Sequence, residues 1–233
     1  MRKYWAVIRL GWEDFFYRRT RAIIWILVEL ITPLAMVFIF RALTIKGNQI
    51  AGYGYTDFFF YYFCASLVSM FLPKYSDEEV AEQIKDGSLS YSLLRPISHR
   101  NFILAGVFSW HSAKMILYLP FLLVFFLAFS SGNIFPDTIF TLWSVLAVTL
   151  AFFLAFIFSY AFGMLSFWFL EINGLKNFKD VSVMLLSGQI LPLSFLPAGF
   201  LAVNNFLPFK YWLFFPVSLM QGKLNNTEIA TGF

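Results

Sequence analysis

Glu29 sits inside an apolar run that extends from Ala22 to about Leu43, and a carboxylate there needs a partner. An ionised side chain at the middle of a membrane helix costs about 2.5 to 3.5 kcal/mol on insertion scales, so such groups face protein or water. Two roles suit it: counter-ion to an interfacial arginine such as Arg18 or Arg21, or a polar station on a substrate or proton path. His111 and Lys114 stand three residues apart, on one face of a helix, where they suit a lipid phosphate or an interfacial anchor. Arg41, near the far end of the same run as Glu29, reads as a snorkelling side chain. Neither His99 nor His111 has an acidic partner at ligand spacing, so a metal site is not expected. No carboxylates or histidines converge at one depth as an intramembrane enzyme would need. The phosphate-cradling pattern G-x-x-x-x-G-K-S/T is absent from the sequence, so ATP is not bound by that route.

The elements that carry these groups must live in lipid. Of 233 residues, 60% are hydrophobic, 21% aromatic and 13% charged. Soluble domains carry about 25% charged residues, and the deficit makes the bilayer the first partner. The class is all-α and polytopic, with five to six transmembrane helices and an N-terminal interfacial amphipathic helix. The net charge of +4 does not point to nucleic acid, because Lys and Arg cluster beside the apolar runs as membrane anchors do. Cys64 is the single cysteine, which excludes an internal disulfide and a cysteine metal site.

Residues 1–21 place Trp5, Ile8, Trp12, Phe15 and Phe16 at helical spacing among basic side chains, the pattern of a helix lying in the interface. The Arg-rich segment that follows resembles a signal peptide, but its apolar run is too long and lacks a small-residue cleavage site. The first span, from Ala22, contains Pro33; a loop over 44–55 ends it, and a second, aromatic-rich span runs from about Thr56 to Leu72. The aromatics read as lipid-facing and interfacial surface.

Residues 74–101 form the one long polar stretch, in which Val80, Ile84 and Leu89 punctuate a short amphipathic helix that Gly87 terminates. A third apolar region, 101–130, is too long for the bilayer as one helix, so its first third lies outside and the span is about Met115 to Phe129. A turn at 130–137 leads to a fourth region, 138–170. The fifth starts near Asp180 and is broken by Gly188, Pro192 and Pro197, a pattern that helix interiors carry only where the backbone is meant to break. Residues 197–222 read as short interfacial or re-entrant helices. Residues 1–21, 74–101 and 171–180 hold twelve Lys and Arg, and the alternate loops hold one, Lys46, which places the N-terminus and the 74–101 loop in the cytoplasm of a cell-membrane protein. An odd span count leaves the polar end KLNNTEIATGF outside, and truncation before a last span is expected. That end holds an Asn225-Asn226-Thr227 glycosylation sequon, a frequent pattern.

Two passages, EQIKDGSLSYSLLRPISHRNF at 82–102 and FKDVSVMLLSGQILPLSFLPAGF at 178–200, resemble the ABC-2-type permease family. The resemblance implies that residues 1–233 are a single ABC-2-type transmembrane domain. It implies an exporter subunit working as a homodimer or heterodimer with a related permease, bound to an ABC ATPase that carries ATP and Mg; no cofactor belongs to this chain. On that reading 74–101 is the coupling segment. Glu78, Glu79, Glu82, Lys85 and Asp86 face the ATPase or water, Ile84, Leu89 and Leu94 dock, Gly87 ends the helix, and Arg95 and Pro96 carry the family pattern. Pro33, Gly188, Pro192 and Pro197 are the candidate helix breaks and gate, and Glu29 is the intramembrane charge. The competing readings are a stand-alone secondary transporter and a structural membrane subunit.

Overall fold

A computed structural model describes residues 2–44, 53–129, 142–169, 171–224, 228–229 and 232. The turn expected at 130–137, most of the 44–55 loop and the 225–227 sequon lie outside the described residues. Ten α-helices are seen among those described: α1 Arg2–Tyr17, α2 Arg19–Thr44, α3 Tyr55–Phe71, α4 Ser76–Lys85, α5 Leu89–Leu93, α6 His99–Phe129, α7 Leu142–Gly163, α8 Asn173–Leu186, α9 Ala198–Asn204 and α10 Phe214–Met220. No β-strand occurs among the described residues. Among the described residues, four segments are long and apolar enough to cross a membrane: Ala22–Thr44, Tyr55–Lys85, His99–Leu127 and Leu142–Phe167.

The helix α3 is the axis of the fold. Phe58, Phe59, Tyr61, Tyr62, Cys64 and Val68 are all buried against α2, α6, α7 and α10. Phe58 stacks on Phe40 of α2 with ring centroids 3.7 Å apart, and Phe59 meets Phe125 of α6 at 5.5 Å. The aromatics of this span are therefore core, not lipid-facing surface. Lipid tails are as apolar as these rings, so burial alone does not drive helices together in a bilayer, and flat rings packed in register supply van der Waals contact instead.

Helix α1 lies along the first half of α6 and runs in the same direction. In chain order, Tyr4 meets Asn101 (3.3 Å), the Ile8 carbonyl accepts from Ser109 Oγ (2.7 Å), Trp12 Nε1 donates to Ser112 (3.0 Å) and Phe15 packs on Trp110 (4.9 Å between centroids). The part of α6 too long for the bilayer is thus held by a second helix. Helix α2 continues through Pro33 without ending, which corrects the expectation of a break there. A proline inside a helix removes a single hydrogen bond, here to the Glu29 carbonyl, and kinks a helix more readily than it terminates it.

The fifth apolar segment differs most from expectation. Helix α8 starts at Asn173, ahead of Asp180, so Lys176 and Lys179 belong to a helix and not to a loop. Its 14 residues reach about 21 Å, short of a hydrocarbon core of about 30 Å. Beyond it come a 3-10 turn at Leu193–Phe195, the largely exposed α9 and a second 3-10 turn at Pro208–Tyr211, and α10 folds back into the core against α3 and α7.

Helix α4 crosses the end of α7 where Gly163 removes the side chain between them. A Cβ built at Gly163 would lie 2.8 Å from Val80 Cβ and 2.9 Å from the Asp77 carbonyl oxygen. Gly106 on α6 has open space at the same position. Alanine normally favours a helix by about 1 kcal/mol over glycine. Gly106→Ala is therefore expected to raise the melting temperature in detergent, whereas Gly163→Ala lowers it by an overpacking cost of about 1 to 3 kcal/mol. Equal shifts of one sign would show that the α4–α7 approach is not tight.

Candidate functional site: a broken helix tied to a polar segment

Helix α8 ends at Leu186, and its exposed carbonyls need donors that lipid does not supply. Four carbonyls at and just past its end are met by three elements. Asn204 Nδ2 of α9 donates to the Leu186 carbonyl (2.9 Å) and the Phe214 amide to that of Ser187 (3.0 Å). The hydroxyls of Tyr61 and Tyr62 on α3 donate to Gly188 (2.7 Å) and Ile190 (2.6 Å). Gly188 has φ +84, a left-handed conformation that a side chain disfavours, and a Cβ there would approach the Tyr61 hydroxyl to 2.7 Å. Pro192 starts the 3-10 turn, and Pro197 precedes α9. Beside the break lies a cavity of about 300 Å³, lined by Leu193, Ser194, Asn204, Lys210, Tyr211 and Phe214 among others.

The polar segment 74–101 folds as α4, a turn at Gly87 with φ +76, and the short α5. Val80 is buried with Ile103, Val107, Phe152 and Phe156, and Ile84 packs at the edge of that cluster. The outer face presents Glu78, Glu79, Glu82, Lys85 and Asp86. Leu89 is half-buried, but Leu94 is 83% exposed and does not dock on this chain, contrary to expectation. A five-residue helix has one inner face, and Ser92 occupies it by bonding Gln83 (3.0 Å). Tyr91, Leu93 and Leu94 are left outward, beside exposed Arg95 and Pro96. Arg95 lies over the Phe102 ring at 4.1 Å.

Contacts between this segment and 171–189 form a ladder. Lys85 meets Glu171 (2.5 Å), Glu78 pairs with Lys176, and Asp77 Oδ2 accepts from Lys179 (2.7 Å). Lys179 also donates to the Lys74 carbonyl (3.1 Å), while the Lys74 ammonium bonds Gln189 (3.0 Å) and Ser69 (2.7 Å). The Lys85 hydrogen bond and charge hold Glu171 below the usual carboxylate range, so that rung is present at neutral pH and is lost as pH falls through the lowered value. The Asp77–Lys179 pair is different in kind, because both side chains are at most 2% exposed. Glu29 does not meet Arg18, which bonds Asp14. Its partner is Lys114 of α6 (2.7 Å), which corrects the reading of Lys114 as an interfacial anchor. His99 joins three elements, bonding Tyr160 (2.9 Å) and Gln83 (3.0 Å).

Sequence reasoning singled out Gly188 but missed Lys74, Asp77, Lys179, Gln189 and the tyrosine pair. The signal for Asp77 and Lys179 was their presence in a chain poor in charge; their separation of 102 residues hid the pairing.

These features define an α-helical protein with several helices apolar enough to cross a membrane and a short helix, broken at Ser187–Gly188, that is tied to a polar, partly exposed segment. A family model for ABC-2 family transporter proteins matches residues 30–233, and the chain belongs to that family of membrane transport subunits. No curated protein and no solved structure matches the chain.

Removing one partner of a buried ion pair leaves an uncompensated charge, at a cost of about 3 to 5 kcal/mol. Removing one hydroxyl that serves a buried carbonyl costs about 1 to 3 kcal/mol. Lys179→Met is therefore expected to lower the detergent melting temperature more than Tyr61→Phe, and both more than Lys85→Met on the exposed rung. A Lys85→Met effect as large as that of Lys179→Met would contradict the ranking.

Proposed function

We propose that this chain is the permease subunit of an ATP-driven exporter, working with a second permease and with a separate ABC ATPase that carries ATP and Mg²⁺. The observation that carries this reading is the outward face of α4 and α5. There Glu79, Glu82 and Asp86 stand beside exposed Tyr91, Leu93 and Leu94. Carboxylates exclude the face from lipid, and the apolar side chains are poorly served by water alone; a protein surface of mixed character suits both. Family membership supports a motor on another chain, since ABC-2 permeases typically work with ATPase subunits.

The distribution of Lys and Arg supports a cytoplasmic N-terminus and a cytoplasmic 74–101 segment in the plasma membrane. In that orientation α1 lies at the inner interface, with exposed Trp5 and Leu10 turned to lipid. ATP-driven movement of the segment then alternates the exposure of a path next to the α8 break, with Gly188, Pro192 and Pro197 as its gate.

Affinity purification of the chain in mild detergent is expected to bring down an ATP-hydrolysing subunit with a phosphate-binding loop. Gly87→Pro cannot adopt φ +76 and Glu82→Lys reverses a charge on the docking face. Each is expected to weaken ATPase association at least tenfold while membrane insertion is unchanged. Undiminished association of both variants would remove the coupling role of this segment.

A further inference from the structure

The ladder between the polar segment and 171–189 has a direction. As the residue number falls from Lys85 through Glu78 and Asp77 to Lys74, the partner rises from Glu171 through Lys176 and Lys179 to Gln189. The two stretches of chain therefore run antiparallel, joined through long side chains, and the rungs do not end where α8 ends. Ser187 and Gly188 break the helix between the last two partners. Lys74 touches both sides of that break: its carbonyl accepts from Lys179 before it, and its ammonium holds Gln189 after it.

The two contacts differ in strength for a physical reason. Asp77–Lys179 joins opposite charges shielded from water, and separating them strands Asp77 and leaves Lys179 with Asp180 (3.1 Å). Lys74 and Gln189 are joined by an ammonium and a neutral amide, and among the described residues no carboxylate lies within ion-pair distance of Lys74. The second contact yields first when the segment is displaced.

We infer that α4 and α8 move as one lever joined at Asp77–Lys179, that Ser187–Gly188 is its hinge, and that Lys74–Gln189 is the tie across the hinge that releases when the lever moves. Lys74, Asp77, Lys179 and Gln189 are thereby positioning residues of the transport cycle. The input to the lever rests on the coupling reading above; the lever and its tie do not.

The test uses the full chain in lipid nanodiscs, with Cys64→Ser and a reporter Leu191→Cys just past the hinge. Gln189→Leu and Lys74→Met are expected to raise the rate of maleimide labelling at residue 191 at least tenfold. The rate at a second reporter, Val80→Cys on α4, stays unchanged. No increase at 191 in Gln189→Leu overturns the tie. Hydrogen exchange decides the lever: Asp77→Asn raises exchange over 76–80 and 176–186 together, and the paired Asp77→Asn/Lys179→Gln change restores most of the protection. An increase confined to one of the two helices overturns the joint. With a copurified ATPase, ATP raises labelling at 191 several-fold, and a Glu78→Cys/Lys176→Cys disulfide leaves that response intact. Loss of the response on locking shows that α4 slides over α8 and refutes the lever. If no ATPase copurifies, the coupling reading fails, while the nucleotide-free labelling and exchange still decide the tie and the joint.

Discussion

A backbone that leaves helical geometry inside a membrane must find a donor or acceptor for every group it frees, because the hydrocarbon offers none. That constraint organises this fold. The carbonyls of Leu186, Ser187, Gly188 and Ile190 draw donors from α9, from the approach to α10 and from two consecutive tyrosines of α3. Consecutive residues on a helix point about 100° apart, so Tyr61 and Tyr62 reach carbonyls two residues apart only because the accepting strand curves around α3. The central position of α3, the return of residues 209–220 into the core and the abrupt end of α8 all serve one requirement.

The charges follow the same logic with larger energies. Low dielectric makes an isolated ionised group expensive and a well-made pair tolerable, and two inward charges are matched by others from distant parts of the chain. Glu29 of α2 finds Lys114 of α6, and Asp77 of α4 finds Lys179 of α8. Such pairs add little net stability over apolar packing, but a wrong register would strand both partners, and they fix which helix lies against which. By contrast Arg9–Glu13 and Arg18–Asp14, exposed and one turn apart on or beside α1, are worth little.

Local pattern made most of the architecture legible. The limits of α3, the short helix ended by Gly87, the excess length of α6 and the break at Gly188 are all written in hydropathy, glycine and proline at fixed offsets, and each is found. Pro33 was misread because proline marks a lost hydrogen bond and not the fate of the helix around it. The start of α8 was misread because Lys176 and Lys179 resembled loop cations, and only the fold places Asp77 where Lys179 is buried. Tyr61 and Tyr62 were invisible for a related reason. Within FFFYYF a hydroxyl that caps a broken strand 127 residues away looks the same as one that faces headgroups.

The coupling role proposed for the 74–101 segment would place a demand on stiffness that α4 cannot meet alone. Ten residues make a helix of about 15 Å, below the length at which an isolated helix is stable in water. Its rigidity must come from its neighbours, and it has two. Val80 and Ile84 seat it on α6 and α7, with Gly163 allowing backbone contact, and the ladder joins it to α8. The first contact locates the helix and the second gives it a load. Val80, seated against Gly163, fixes α4 on α7, while the buried ion pair ties it to α8.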